Sequence, residues 1–228
     1  MTRPPGPIEQ YAWPEELDGH VVTPGPSPRL HGYDVEGDLA IHYRFADVAL
    51  LVLIGEVPSD EQAAAFDVAM TFLAPLSIAE APAHAAALSN LCGAPSTGVF
   101  GVAAVAAAER ARALLGESPA LLDLLGSPSE TVDASLTASS DEEHQSVQRL
   151  REALARRGVR VPALDRPLSR RAALVATLFF AGLTRPAQLE AALVLASLPA
   201  VIAEAHHHTP GAFAGYPMQL PPFEYEDP

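Results

Sequence analysis

One cysteine, Cys92, is all that this 228-residue chain contains, so no internal disulfide can staple the fold. That suits a reducing compartment. Basic residues are also scarce: 14 stand against 28 acidic ones, giving a formal charge of -14. Such a balance repels phosphate backbones and anionic lipid wherever the field reaches. Neither nucleic acid nor a membrane surface is therefore expected as a partner. The opening Met-Thr-Arg-Pro-Pro-Gly-Pro has no apolar core of signal-peptide length. No apolar run reaches the roughly 20 residues of a membrane span, and the Ala-rich stretch 99–108 comes nearest. A cytoplasmic protein is expected. Gly93-Ala-Pro-Ser-Thr-Gly98 lacks the Gly-Lys pair of a phosphate loop.

What is present is apolar surface. Hydrophobic residues make up 49% of the chain, which excludes a disordered protein, and the length fits one large domain or two small ones. Residues 1–28 hold seven of the 22 prolines and three glycines, which reads as an extended arm without regular structure, anchored by Tyr11 and Trp13. A polar turn around Gly32 and Gly37 then feeds a helix near 46–54 that is apolar almost all round and stops at Gly55. Ser59-Asp-Glu-Gln62 has capping-box spacing, and Ala65, Phe66, Ala69, Met70 and Leu73 follow at the rhythm of a buried helical stripe. Pro82 sits where a first helical turn tolerates it, and that helix stops at Gly93. From 99 the Ala-rich helix runs on through Glu109 to Gly116. A short helix over 121–125 and a loop lead to Ser140, which caps a helix bearing Val147, Leu150 and Leu154 before Gly158. Two further helices follow, one starting near Arg170 and one over 188–206.

Several of these stretches carry a family pattern. Arg29-Leu-His-Gly-Tyr-Asp-Val-Glu-Gly-Asp-Leu, then His42, the Phe45–Ile54 helix and Gly55-Glu-Val-Pro58 resemble, in order and spacing, the citrate synthase family. The short citryl-CoA-lyase-like members are the most similar. Residues 84–108, the helix after Pro167, Ser197-Leu-Pro-Ala-Val-Ile-Ala-Glu204 and the closing Pro217-Met-Gln-Leu-Pro-Pro-Phe-Glu-Tyr extend the resemblance. It implies an all-α fold, with a citrate-synthase-like large domain formed by 29–108 and 166–228. A reduced small-domain remnant is expected at 109–165, after a Pro-rich N-terminal arm at 1–28. It also implies pairing through the Ala-rich helices, as a homodimer or as a heteromer with a catalytic paralogue.

The chemistry of the family is what the sequence departs from. Where the family has a His-Gly-Gly turn after the Ala-rich helix, Glu109-Arg-Ala-Arg continues the helix, and no Gly-His loop follows downstream. The family's catalytic Asp aligns with Arg170 or Arg171, and a guanidinium does not act as a base at neutral pH. Glu204 stands where another family His would be. The expected function is thus a non-catalytic subunit paired with a paralogue that joins or cleaves an acyl-CoA and a 2-oxo acid. The alternatives are an enzyme with relocated chemistry at His31, His84 and Glu204, or a carboxylate- or CoA-binding regulator. No cofactor is implied beyond acyl-CoA as a substrate of the complex.

The remaining polar groups are read against plainer roles. His31 with Asp34 orients a ligand or makes a turn hydrogen bond. Arg170 and Arg171 at a helix start oppose the macrodipole, so a carboxylate ligand or a partner's acid is expected nearby, with a solvated pair as the plainer reading. Adjacent side chains on a helix diverge by about 100 degrees, so His206, His207 and His208 read as a solvated helix end rather than a metal site. Cys92 and His84, eight residues apart on one helix, are too distant for proton transfer, and Cys92 is expected to be buried.

Overall fold

Left-handed backbone at two adjacent residues starts the ordered part of the chain. His31 and Gly32 have φ of 47° and 87°, as a two-residue hairpin turn of the primed type requires. They join β2 (Arg29–Leu30) to β3 (Tyr33–Asp34), and β1 (Val22–Thr23) pairs antiparallel with the other side of β2. The computed structural model describes residues 18–116 and 133–213. The helix expected at 121–125, Tyr11, Trp13 and the closing 217–225 pattern lie outside them. The arm is accordingly not wholly irregular, because Val22 and Thr23 find ladder partners in Leu30 and Arg29.

Asp34 accepts a hydrogen bond of 2.6 Å from the Gly37 amide and so caps a π-helical turn, Val35–Leu39, that runs into α1 (Ala40–His42). The apolar helix α2 (Phe45–Ile54) ends where Gly55 turns left-handed at φ 89°. Leu50 and Leu51 are fully buried, whereas Phe45 is 80% exposed. The chain divides into two compact units, residues 1–57 and 58–228.

The second unit is helical. The Ser59 box forms as expected: its hydroxyl accepts from the Gln62 amide while Gln62 accepts from the Ser59 amide, opening α3 (Asp60–Leu73). Then come α4 (Ala81–Leu91), α5 (Ser96–Gly116), α6 (Asp141–Arg156), α7 (Arg170–Phe180) and α8 (Pro186–His207). Small residues let α4, α5 and α8 approach closely. Ala83, Ala86, Val99, Ala103, Val201 and Ala205 form their shared core. A second layer packs α3 against α6, α7 and α8, with Phe66, Leu150, Leu154, Leu178 and Leu189 fully buried.

Two expectations change here. Cys92 is exposed at the end of α4, because it is the capping residue rather than part of the buried face. And α8, 22 residues with a mean hydropathy of 1.5 in its most apolar window, is long and apolar enough to cross a membrane by length and composition. The sequence reading missed it because Pro199 and the polar Gln188 and Ser197 interrupt the run. Core helices of water-soluble proteins pass the same test, and Leu189, Ala192, Leu193, Val201 and Ala205 of α8 are buried against neighbouring helices.

Candidate functional site

Two helix starts are held side by side before any candidate side chain is considered. Thr137 and Leu168 form an antiparallel bridge. The Ser169 amide donates to Leu136 O at 2.7 Å and the Ala138 amide to Pro167 O at 3.1 Å. This places the entrance to α6 beside the entrance to α7. Ser140 and Ser169 cap those helices, accepting from the Glu143 and Ala172 amides respectively.

Glu143 is the residue through which the two starts communicate. Its carboxylate accepts from the Ser139 amide at 2.8 Å and the Ser139 hydroxyl at 3.0 Å. The Ser139 amide holds its pKa below the usual glutamate value; burial opposes this, and the Ser139 hydroxyl, the Arg170 amide and His144 add to the lowering. A carboxylate from α6 thereby serves the first turn of α7, which favours negative charge.

A cavity of about 580 Å³ opens at this junction, within the usual range for small-molecule sites. Leu114 of α5, Leu174 and Val175 of α7, Leu193 of α8 and the end of α3 at Phe72 and Leu73 supply its apolar wall. Its polar wall is Arg110, Glu142, Glu143, Ser146, Arg149, Arg170 and Arg171. The chain has no lysine, so all 14 of its basic residues are arginines, and four of them meet here in a protein of strongly negative charge. Guanidinium groups present paired donors that match carboxylate and phosphate geometry.

The arginines are not equivalent. Arg170 donates to Phe72 O at 2.8 Å, supplying a partner to one of the last carbonyls of α3. That answers the conflict seen in the sequence: the charge at the positive end of α7 meets the negative end of α3, with Glu143 alongside. Arg110 is joined to Glu80 at 2.7 Å through Nε and 2.6 Å through Nη2. Arg149 and Arg171 line the cavity with them.

Of the residues singled out from the sequence, Arg170 and Arg171 are brought to this cavity, while His84, Glu204, His206, His207 and His208 do not line it. His31 belongs to the 1–57 unit, where its Nε2 lies 3.2 Å from Val52 O in the last turn of α2, and Asp34 is spent on the Gly37 amide. His84 is exposed on α4. Glu204 lies 3.8 Å from His208 Nε2, one helical turn on, and the His206 ring is tilted against Phe100 with centroids 6.1 Å apart. The helix runs to His207, so the three histidines diverge, and no group of three metal-binding side chains occurs among the described residues. His144 sits in the first turn of α6, its Nδ1 2.8 Å from Ser140 O.

Sequence reasoning missed Arg110, Arg149, Glu142 and Glu143 as site residues. A signal was present on α6, where Glu142, Ser146 and Arg149 recur at the i, i+4, i+7 spacing of one helix face. Arg110 had none, since only the fold brings α5 alongside.

Helices arranged in this way define an all-α, citrate-synthase-like fold. Among solved structures, the chain is similar to citryl-CoA lyase from Hydrogenobacter thermophilus at TM-score 0.58 and 12% identity, over 93% of this chain and 97% of that one. It is also similar to a mutant ATP citrate lyase from Methanosaeta concilii in complex with (3S)-citryl-CoA, at TM-score 0.58 and 13% identity. The ATP citrate lyase from Methanothrix soehngenii in complex with citrate and coenzyme A gives TM-score 0.57 and 11% identity. This chain spans 43% of each ATP citrate lyase chain. No family model matches the sequence, and no curated protein matches it.

Proposed function

We propose that this protein is a citrate-synthase-fold subunit that binds a small carboxylate in the arginine-lined cavity and performs no carbon–carbon chemistry alone. It pairs with a catalytic paralogue that joins or cleaves an acyl-CoA and a 2-oxo acid. The observation that carries this reading is the composition of the cavity wall: among the described residues it holds four arginines and two glutamates at the α6–α7 junction, and no histidine. Arginines hold an anion well and abstract protons poorly. Fold likeness to citryl-CoA lyase and ATP citrate lyase supports the acyl-CoA context by analogy of fold.

Pairing is supported by an apolar surface on α4 and α5. Val105 is 66% exposed, and Phe100, Leu88 and Val102 also reach the surface, beside the open small face at Gly101. A second copy or a paralogue would bury them.

The test is thermal stabilisation of the purified chain by citrate, pyruvate or coenzyme A, with thiol release from acetyl-CoA and oxaloacetate measured in parallel. Stabilisation by a carboxylate that disappears in Arg149→Ala and Arg171→Ala, without thiol release, is the expected result. Stabilisation by coenzyme A alone would favour a CoA-binding regulator. Turnover by the isolated chain above about 1 s⁻¹, the low end of ordinary enzymes, would sink the non-catalytic reading.

A further inference from the structure

Buried polar side chains in this chain are, with one exception, matched to partners. Asp47, Asn90, Ser169, Thr177, Gln188 and Ser197 are buried, and each has a hydrogen bond within the chain. Two of the hydroxyls turn back on their own helices: Thr177 donates to Ala173 O at 2.8 Å and Ser197 to Leu193 O at 3.1 Å. Ser146 of α6 is the exception. It is 9% exposed, it lines the cavity, and no hydrogen bond engages its hydroxyl among the described residues. Serine is also a poorer helix former than alanine, so this hydroxyl gives the fold nothing in return. Arg149 lies three residues on, a spacing that sets two side chains on one helix face with Cβ atoms about 5–6 Å apart. It lines the same cavity and likewise has no hydrogen bond or ion pair among the described residues.

We propose that Ser146 is a specificity-determining residue of the cavity, setting it to take a carboxylate that bears a hydroxyl on the adjacent carbon. This rests on the carboxylate-binding reading above and adds the ligand class. A guanidinium only donates, whereas a serine hydroxyl donates and accepts at once. Arg149 therefore matches the carboxylate, and Ser146 matches a neighbouring group that both gives and takes a hydrogen bond. A 2-hydroxy acid presents those two groups on adjacent carbons: its hydroxyl donates to Ser146 Oγ, and Ser146 donates to the carboxylate. A 2-oxo acid can only accept from Ser146. An unsubstituted acid displaces solvent from the serine and supplies no hydroxyl in exchange, and sites built to bond a ligand hydroxyl reject the analogue lacking it for that reason.

The experiment is calorimetric titration of the full chain with racemic lactate, pyruvate and propionate, three-carbon monoanions that differ only at the second carbon. It is run on the wild type, Ser146→Ala and Arg149→Ala, with the melting temperature of each unliganded protein measured alongside. Wild type should bind lactate about five- to tenfold more tightly than propionate, the worth of one net hydrogen bond, with pyruvate between them. Ser146→Ala should abolish that preference by weakening lactate while leaving propionate unchanged, and should melt no lower than wild type. Arg149→Ala should weaken all three by a similar factor. A wild type that does not distinguish lactate from propionate, a preference that survives Ser146→Ala, or an Arg149→Ala variant with unchanged affinities overturns the inference while leaving carboxylate binding standing. So does a Ser146→Ala variant that melts about 3 °C or more below wild type, the size of one lost hydrogen bond in a chain of this length, because the hydroxyl would then serve the fold. Failure of all three acids to bind the wild type overturns the binding reading and this inference together.

Discussion

The Asn90 side chain secures the end of α8, and its replacement gives a sharp test of the fold. It is 3% exposed, and its amide nitrogen donates to Ala205 O at 2.9 Å and to His208 O at 2.8 Å. Both acceptors are among the final carbonyls of α8, which have no partner within the helix beyond a long 3.4 Å contact from the His208 amide to Ala205 O. Asn90→Ala leaves two acceptors without their donor. At about 1–3 kcal/mol for each buried group left unpaired, and allowing for partial access of water at His208, the loss should be about 2–4 kcal/mol. That is a large share of the 5–15 kcal/mol typical of a domain. Asn90→Asp should be worse at neutral pH, since a carboxylate would face two carbonyl oxygens at under 3 Å. Protonation restores one donor, so the gap between the Asp and Ala variants should close as pH falls through the raised Asp pKa. Urea denaturation of both variants between pH 4 and pH 8 reads this directly. An Ala variant that loses less than about 0.5 kcal/mol, or an Asp variant that tracks Ala at every pH, would refute the assigned geometry.

Three other outcomes follow from named contacts. His31 holds a left-handed φ of 47°, so His31→Val should be less stable than His31→Gly by about 1–2 kcal/mol in urea denaturation, despite its larger side chain. Glu143 has its folded pKa depressed, with the Ser139 amide the first cause. Its contribution to stability is present above the ordinary glutamate value and is lost as pH falls through the lower folded value. The melting-temperature advantage of wild type over Glu143→Gln should therefore be steady at neutral pH and fade only under acid. Val105→Asp on the exposed face of α5 should shift sedimentation toward monomer while leaving the far-ultraviolet circular dichroism unchanged.

The helices were legible because their punctuation is local. Ser59 and Ser140 cap where the sequence placed caps, and Gly55, Gly93 and Gly158 take positive φ where it placed stops. The small sheet was not legible, since strands of two residues have no periodicity to read. The apolar character of α8 was less legible, because Gln188, Ser197 and Pro199 interrupt a helix whose mean hydropathy is nonetheless high. The cavity was half legible. Arg170 and Arg171 were conspicuous as charges of the wrong sign at a helix start. The groups that resolve that conflict, Phe72 O and Glu143, lie 98 and 27 positions away in the chain, a separation that only packing closes.

The same contacts bear on what the cavity can do. Removing a proton from carbon beside a thioester needs a base of adequate strength and a donor aimed at the developing enolate oxygen, each contributing about 10²- to 10⁴-fold. Glu143 stands in the first turn of α6, beside the start of α7 where the family resemblance would put a carboxylate base. It is, however, held by the Ser139 amide and hydroxyl, and its pKa is lowered by them and by the Arg170 amide. Every such hydrogen bond stabilises the ionised form and weakens it as a proton acceptor. The arginines supply donors, yet Arg170 is committed to Phe72 O and Arg110 to Glu80. Groups arranged this way stabilise an anion that is already formed. They do little to create one, and that supports the proposed reading of a cavity that holds a carboxylate rather than deprotonating carbon.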